Sequence, residues 1–149
     1  MKLELKHLSP YLPYALGFMH QDEIYQLMQL NIKYDQKPMW IEGWNGKDLI
    51  NVFPEGCQPI LRPLSDLTEN INLHDDFFAI PIENMTGYKL DGNISVAPTT
   101  VRYLYGCSKG KIEAKFLDYW VIVQLLEWHF DIFNLIENNL AIDINTITQ

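Results

Sequence analysis

The chain has 149 residues, of which 48% are hydrophobic, 13% aromatic and 20% charged, the profile of one compact domain with a core of its own. These values exclude a disordered tail, a collagen-like rod and a small scaffold held by disulfides. Lys and Arg total 11 against 19 Asp and Glu, and the resulting net charge of -8 opposes gripping a phosphate backbone through bulk charge.

Taken in chain order, residues 7–14 contain Pro10 and Pro13, so they read as a short helical turn followed by extended chain. Over 23–34 the apolar side chains fall near every second position, with one slip at Leu27-Met28. That pattern predicts a strand with a β-bulge, although Ile24, Leu27 and Met28 also fit helical spacing. Residues 39–42 and 48–53 flank Asn45-Gly46, a pair suited to a type I′ turn, and the region fits a hairpin or a strand-turn-helix. Pro54, Gly56 and Pro59 break the chain, and Ser65 is placed to cap a short helix over 65–69. Between turn signals at 91–93 and 108–111, residues 98–105 read as a strand or as a helix with Pro98 at its first position.

The strongest signal comes last. From 113 to 138 there is no Gly or Pro, and Leu117, Trp120, Val121, Leu125, Trp128, Ile132, Leu135 and Ile136 recur at spacings of three or four. A second stripe, Phe116, Tyr119, Val123, Leu126, Phe130 and Phe133, makes most of the circumference apolar. This predicts a long helix in the centre of a fold or in an interface, ended at Asn138-Asn139, with a closing strand over 140–144. The expected fold is α+β, a short antiparallel sheet packed against a long, largely buried C-terminal helix, in a single domain over 1–149.

Motifs for chemistry are missing. There is no G-x-S-x-G elbow, no phosphate-cradling glycine loop and no CxxC pair. Cys57 and Cys107, in loop-like contexts, are expected to be free thiols in a reducing compartment. His129 and Asp131 are two apart, a spacing that does not converge on a helix face. His74-Asp75-Asp76 reads more simply as acids at a helix N-terminus than as a ligand set. No catalytic residue, metal or cofactor is therefore assigned, and the chain is expected not to be an enzyme. The opening residues mix charge into apolar positions, which argues against a secretory leader, and the run 119–126 is far short of the roughly 20 residues that span a bilayer. An intracellular protein without membrane contact is expected.

Two surfaces are candidates for binding. From 112 onward six carboxylates face one base, Lys115. Interspersed with large apolar groups, they suggest an acid-rimmed hydrophobic interface at Glu127, Trp128, Phe130 and Asp131, suited to a basic partner. The plainer reading is a solvated helix face. The second surface is the local basic and aromatic patch at 102–111, where Arg102, Tyr103 and Tyr105 have the chemistry to stack and hold a nucleic acid.

Three stretches, HLSPYLPYAL (7–16), ILRPLSDL (60–67) and LEWHFDIFNLIENNLAIDINTI (126–147), together resemble a family of small proteins of unassigned function in Bacteroidetes genomes, often found beside prophages and other mobile elements. The resemblance leaves about 70–112 unmatched and supplies no catalytic motif. It implies a setting, the cytoplasm of a bacterial host, in which small acidic proteins often block a host machine. The expectation that follows is a non-enzymatic accessory protein that occludes a host protein, such as an anti-CRISPR or other anti-defence inhibitor acting on a CRISPR effector or its ribonucleoprotein complex. The alternatives are direct nucleic-acid binding through 102–111 and self-association into a homodimer.

Overall fold

The computed structural model describes residues 1–33 and 36–147, with backbone alone over 32–33 and 36–39. The strands in chain order are β1 (Gly17–His20), β2 (Glu23–Lys33), β3 (Gln36–Trp44), β4 (Leu49–Val52), β5 (Gln58–Leu61), β6 (Ile71–His74), β7 (Phe77–Ala79) and β8 (Ile142–Asp143). The α-helices are short: α1 (Leu5–Leu8), α2 (Pro81–Thr86), α3 (Thr99–Ser108) and α4 (Tyr119–Glu127). The chain divides into two compact units, one of Met1–Leu61 with Phe133–Gln149, the other of Arg62–Ile132. The class is α+β.

The first unit is built on a six-stranded mixed sheet in the order β4-β3-β2-β1-β5-β8, antiparallel except where β8 lies parallel to β5. Residues 23–33 form the predicted strand, and the register slips between Leu27 and Gln29, as a bulge at Leu27-Met28 requires. Tyr34, the end of that prediction, lies outside the described residues. Period-2 alternation sends Tyr25, Leu27, Ile41 and Val52 to the buried face, and Ile24, Trp44 and Leu49 to the exposed one. Gly43 belongs to the buried face because Phe18 and Tyr25, stacked 5.7 Å apart, lie over it; a Cβ there would strike the Phe18 ring. Over 7–14, expected to be a short helical turn followed by extended chain, α1 is followed by a 3-10 helix, Ser9–Tyr14, with Pro10 in its first turn and Tyr11 fully buried. Short 3-10 segments accept proline more readily than an α-helix interior does.

The hairpin at Asn45-Gly46 forms between β3 and β4, but not through the expected two-residue turn. Trp44 pairs with Leu49, leaving a four-residue loop in which the Asn45 side chain accepts from the backbone N–H groups of Lys47 (2.9 Å) and Asp48 (2.6 Å). That side-chain bonding organises the loop, and of the pair only Gly46 has a positive φ. Two-residue turns with both central φ angles positive occur instead at Gln21-Asp22 and at Asp75-Asp76. The acids after His74 are thus the tip of the β6–β7 hairpin, not a helix N-terminus.

In the second unit the helical alternative holds for 98–105: α3 runs Thr99–Ser108 with Pro98 as its N-cap, one position ahead of the expected first helical place, and Cys107 is on that helix rather than in a loop. Residues 64–68 form a 3-10 helix behind Pro63 with no side-chain cap, so Ser65 does not cap it. The long helix expected over 113–138 is absent. Residues Ala114–Phe116 make a 3-10 turn, and α4 runs only from Tyr119 to Glu127. Its end has a physical cause: His129 takes a left-handed φ of 61°, its N–H donates to the carbonyl of Leu126 at 3.0 Å, and the N–H of Phe130 donates to that of Leu125 at 2.9 Å. These two bonds and the buried pair Phe130 and Leu125 constitute a Schellman motif, ordinarily a glycine's position. Asn134 and Asn139 are left-handed as well, and neither permits the helix to resume.

Candidate functional site

The segment 113–128 carries the largest concentration of exposed aromatic surface among the described residues. Ala114, Leu117, Val121, Leu125 and Trp128 follow one another at three- and four-residue spacing and are buried in the core of the second unit. With that face committed inward, the intervening side chains are turned to solvent. Phe116 is 62% exposed, Tyr119 82% and Trp120 51%. At about 100° per residue, Tyr119 and Trp120 lie well off the line through Val121, Leu125 and Trp128. Three large rings within five residues are unusual on a surface that buries nothing, because each exposes apolar area that water disfavours at about 25 cal/mol per Å².

The surroundings are polar and mainly acidic. Asp118, the N-cap residue of α4, and Glu113 are exposed. Lys115 bridges Glu113 at 2.9 Å while its ammonium sits 5.3 Å over the Phe116 ring, so the one local base is already engaged. Trp120, Gln124 and Glu127 share a side of α4 at i, i+4 and i+7, and the Gln124 amide donates to the Glu127 carboxylate at 3.1 Å. An aromatic strip bordered by carboxylates results.

The predicted interface residues divide between surface and core. Glu127 is exposed at the border of this strip. Trp128, 8% exposed, Phe130 and Asp131 are buried, and Trp128 and Phe130 belong to the packed core of the second unit. Phe130 also lies under the guanidinium of Arg62, 5.9 Å from ring centre to Cζ, and the backbone of 62 pairs with that of 130. Sequence periodicity places Phe116, Tyr119 and Trp120 in the same apolar stripes as the core residues and so conceals that they are exposed. Their interleaving with Glu113, Lys115 and Asp118 is the signal that distinguishes them.

On α3, Arg102 and Tyr103 are exposed and Tyr105 is half-buried. The Arg102 guanidinium donates to Thr99 Oγ1 at 3.2 Å, and the Lys109 ammonium covers the Tyr105 ring at 5.2 Å. Of the two rings in this patch, Tyr103 is the more open, 41% exposed.

Both thiols are free and buried. Burial pushes Cys57 from its ordinary 9.0 up to about 12 and Cys107 up to about 11, which keeps them protonated and unreactive near neutrality. A shallow cavity of about 490 Å³ in the first unit is lined by Lys2, Met19, Asp22, Glu55, Cys57 and Leu140, among others. Among the described residues, no three His, Cys, Asp or Glu side chains converge on a point where a metal ion would sit. No helix among them is long and apolar enough to cross a membrane. No family model matches the chain, and no curated protein or solved structure is significantly similar to it.

Proposed function

We propose that the chain is a non-enzymatic binding protein of mobile-element origin that docks on a host protein and occludes it. In its most concrete form the target is a CRISPR effector or its ribonucleoprotein complex. The observation that carries this reading is the exposed, acid-bordered trio Phe116, Tyr119 and Trp120. Aromatic side chains of this kind are the usual anchors of protein interfaces, and a carboxylate rim speeds association with a basic, nucleic-acid-binding partner. The net charge of -8 acts in the same direction. Direct nucleic-acid binding through Arg102, Tyr103 and Tyr105 is the second reading, supported by the exposure of the first two. The Lys109 cover over Tyr105 weighs against it, since stacking a base there means displacing a cation–π contact.

Titrating the purified chain into effector ribonucleoprotein and following target cleavage tests the first reading. Inhibition that is lost in Trp120→Ala and Tyr119→Ala, with folding intact, is the expected result. Full cleavage at every ratio, with no complex on size-exclusion chromatography, removes the CRISPR effector as target. A salt-dependent shift of labelled RNA or DNA that weakens in Arg102→Ala would establish the second reading instead.

A further inference from the structure

The first unit ends its sheet on β4, whose outer edge has no partner strand among the described residues. In the β3–β4 hairpin the N–H of Asn45 donates to the carbonyl of Asp48, so by alternation Ile50 and Val52 bond toward β3. Leu49 and Asn51 consequently aim their backbone N–H and C=O groups outward, and Phe53 its N–H, while the Phe53 carbonyl accepts from the N–H of Gly56 at 3.0 Å. The run 49–53 holds no charge and no proline, two of the devices by which lone edge strands avoid pairing.

The side chains on the exposed face make this edge complementary to itself. Across β3 and β4 that face carries three rows: Trp40 beside Phe53 with rings 4.0 Å apart, Glu42 opposite Asn51, and Trp44 opposite Leu49. Leu49 is 58% exposed and Phe53 42%. The pattern is apolar, polar, apolar, with Asn51 at its middle. We infer that the chain forms a twofold-symmetric dimer by antiparallel pairing of β4 with β4 of a second copy, Asn51 facing Asn51 on the axis.

In that register Leu49 meets the second copy's Phe53, and Trp44, Leu49, Phe53 and Trp40 form one apolar row across the joined sheets. The outward groups of Leu49 and Asn51 and the Phe53 N–H make about four inter-chain hydrogen bonds, two in the Asn51 pair and one from each Phe53 N–H to the facing Leu49 carbonyl. Carried outward, the same register brings Lys47 at the hairpin tip toward Glu55 of the second copy, twice by symmetry. Both residues are exposed, and among the described residues neither has an ion pair within its own chain. A slip by two residues in either direction breaks both the Leu49–Phe53 match and the Lys47–Glu55 match, so charge and shape select one pairing. Pairing through β4 uses no residue of the aromatic strip on α4.

Sedimentation equilibrium of the full chain from about 10 µM to about 1 mM tests the proposal. A reversible monomer–dimer equilibrium is expected. Asn51→Pro removes an outward N–H and leaves the β3–β4 ladder intact, so it should abolish the dimer while far-UV circular dichroism stays unchanged. Lys47→Glu and Glu55→Lys should each weaken association by about three- to tenfold, and the double exchange should restore it. Should Asn51→Pro fail to fold, the charge exchange alone decides the matter. Asn51→Cys should give a disulfide-linked dimer under mild oxidation, because facing residues in a hydrogen-bonded pair have Cα atoms about 5.5 Å apart. The native thiols, being buried, do not compete. A monomer throughout the concentration range, or a dimer indifferent to the charge exchange, overturns the inference.

Discussion

The sheet unit and the helical unit hide their apolar residues by different rules, and each leaves a different kind of surface behind. In the sheet, alternation divides each strand into a buried face and an exposed face, so Tyr25 and Leu27 are covered while Ile24 and Trp44 are open. Its uncovered groups are backbone as well as side chain, which suits pairing with another strand. In the helical unit the buried line through Ala114, Leu117, Val121, Leu125 and Trp128 occupies one stripe, and the apolar residues beyond it have nowhere to go. Phe116, Tyr119 and Trp120 are what remains outside, with all their backbone needs met within the chain or by solvent. Such a surface suits docking by side chains alone. Apolar content is thus a poor guide to burial in either unit; the period at which it recurs relative to the covered face decides.

The sharpest way to break the comparison uses two tryptophans eight residues apart. Trp128→Ala removes a core side chain and should destabilise the protein by about 3–5 kcal/mol in urea unfolding. Trp120→Ala should move the same midpoint by less than about 0.5 kcal/mol. Equal losses would mean that the aromatic strip is packed rather than exposed. In the sheet unit the corresponding probe is Gly43→Ala, which drives a methyl group into Phe18 and should cost about 1–3 kcal/mol.

The thiols sharpen the comparison through pH, since one is buried in each unit. Because folding raises both pKa values, the native state holds its thiol protons after the unfolded chain has released them. Stability from this source is fully present below pH 9 and is lost as pH rises from there through about 11 and 12. Unfolding midpoints measured from pH 8 to 10.5 should fall, and Cys57→Ser and Cys107→Ser should each reduce the slope. At neutral pH a thiol reagent should label both cysteines only slowly until denaturant is added. The smallest effect concerns a turn: Asp76→Gly relieves a left-handed residue at the β6–β7 tip and should stabilise by about 0.5–1 kcal/mol.

What the amino-acid sequence discloses follows from how local each feature is. The bulge at Leu27-Met28 is legible because a single slip in a period of two has one structural meaning. The end of α4 is not, because His129 adopts a conformation that the eye seeks in glycine, and tertiary pairing of its carbonyl with the N–H of Arg62 at 2.8 Å holds it there. The turns at Gln21-Asp22 and Asp75-Asp76 are hidden for the same reason, whereas the conspicuous Asn45-Gly46 makes a longer loop once the Asn45 side chain takes two backbone donors. Of the candidate binding residues, Glu127, Arg102 and Tyr103 are where a surface reading puts them. Trp128 and Phe130 are not, since distinguishing an interface from a core requires knowing which stripe is covered.

The backbone clasp at Arg62 has a further consequence. Arg62 donates to the carbonyl of His129 and accepts from the N–H of Asp131, each at 2.8 Å, so the helical unit starts and finishes on two neighbouring extended segments. A stretch of chain whose two ends lie side by side has the form of a cassette: it is suited to being cut out, closed with a brief linker or spliced into a surface loop of an unrelated host. Whatever the aromatic strip recognises would then travel with it as portable cargo.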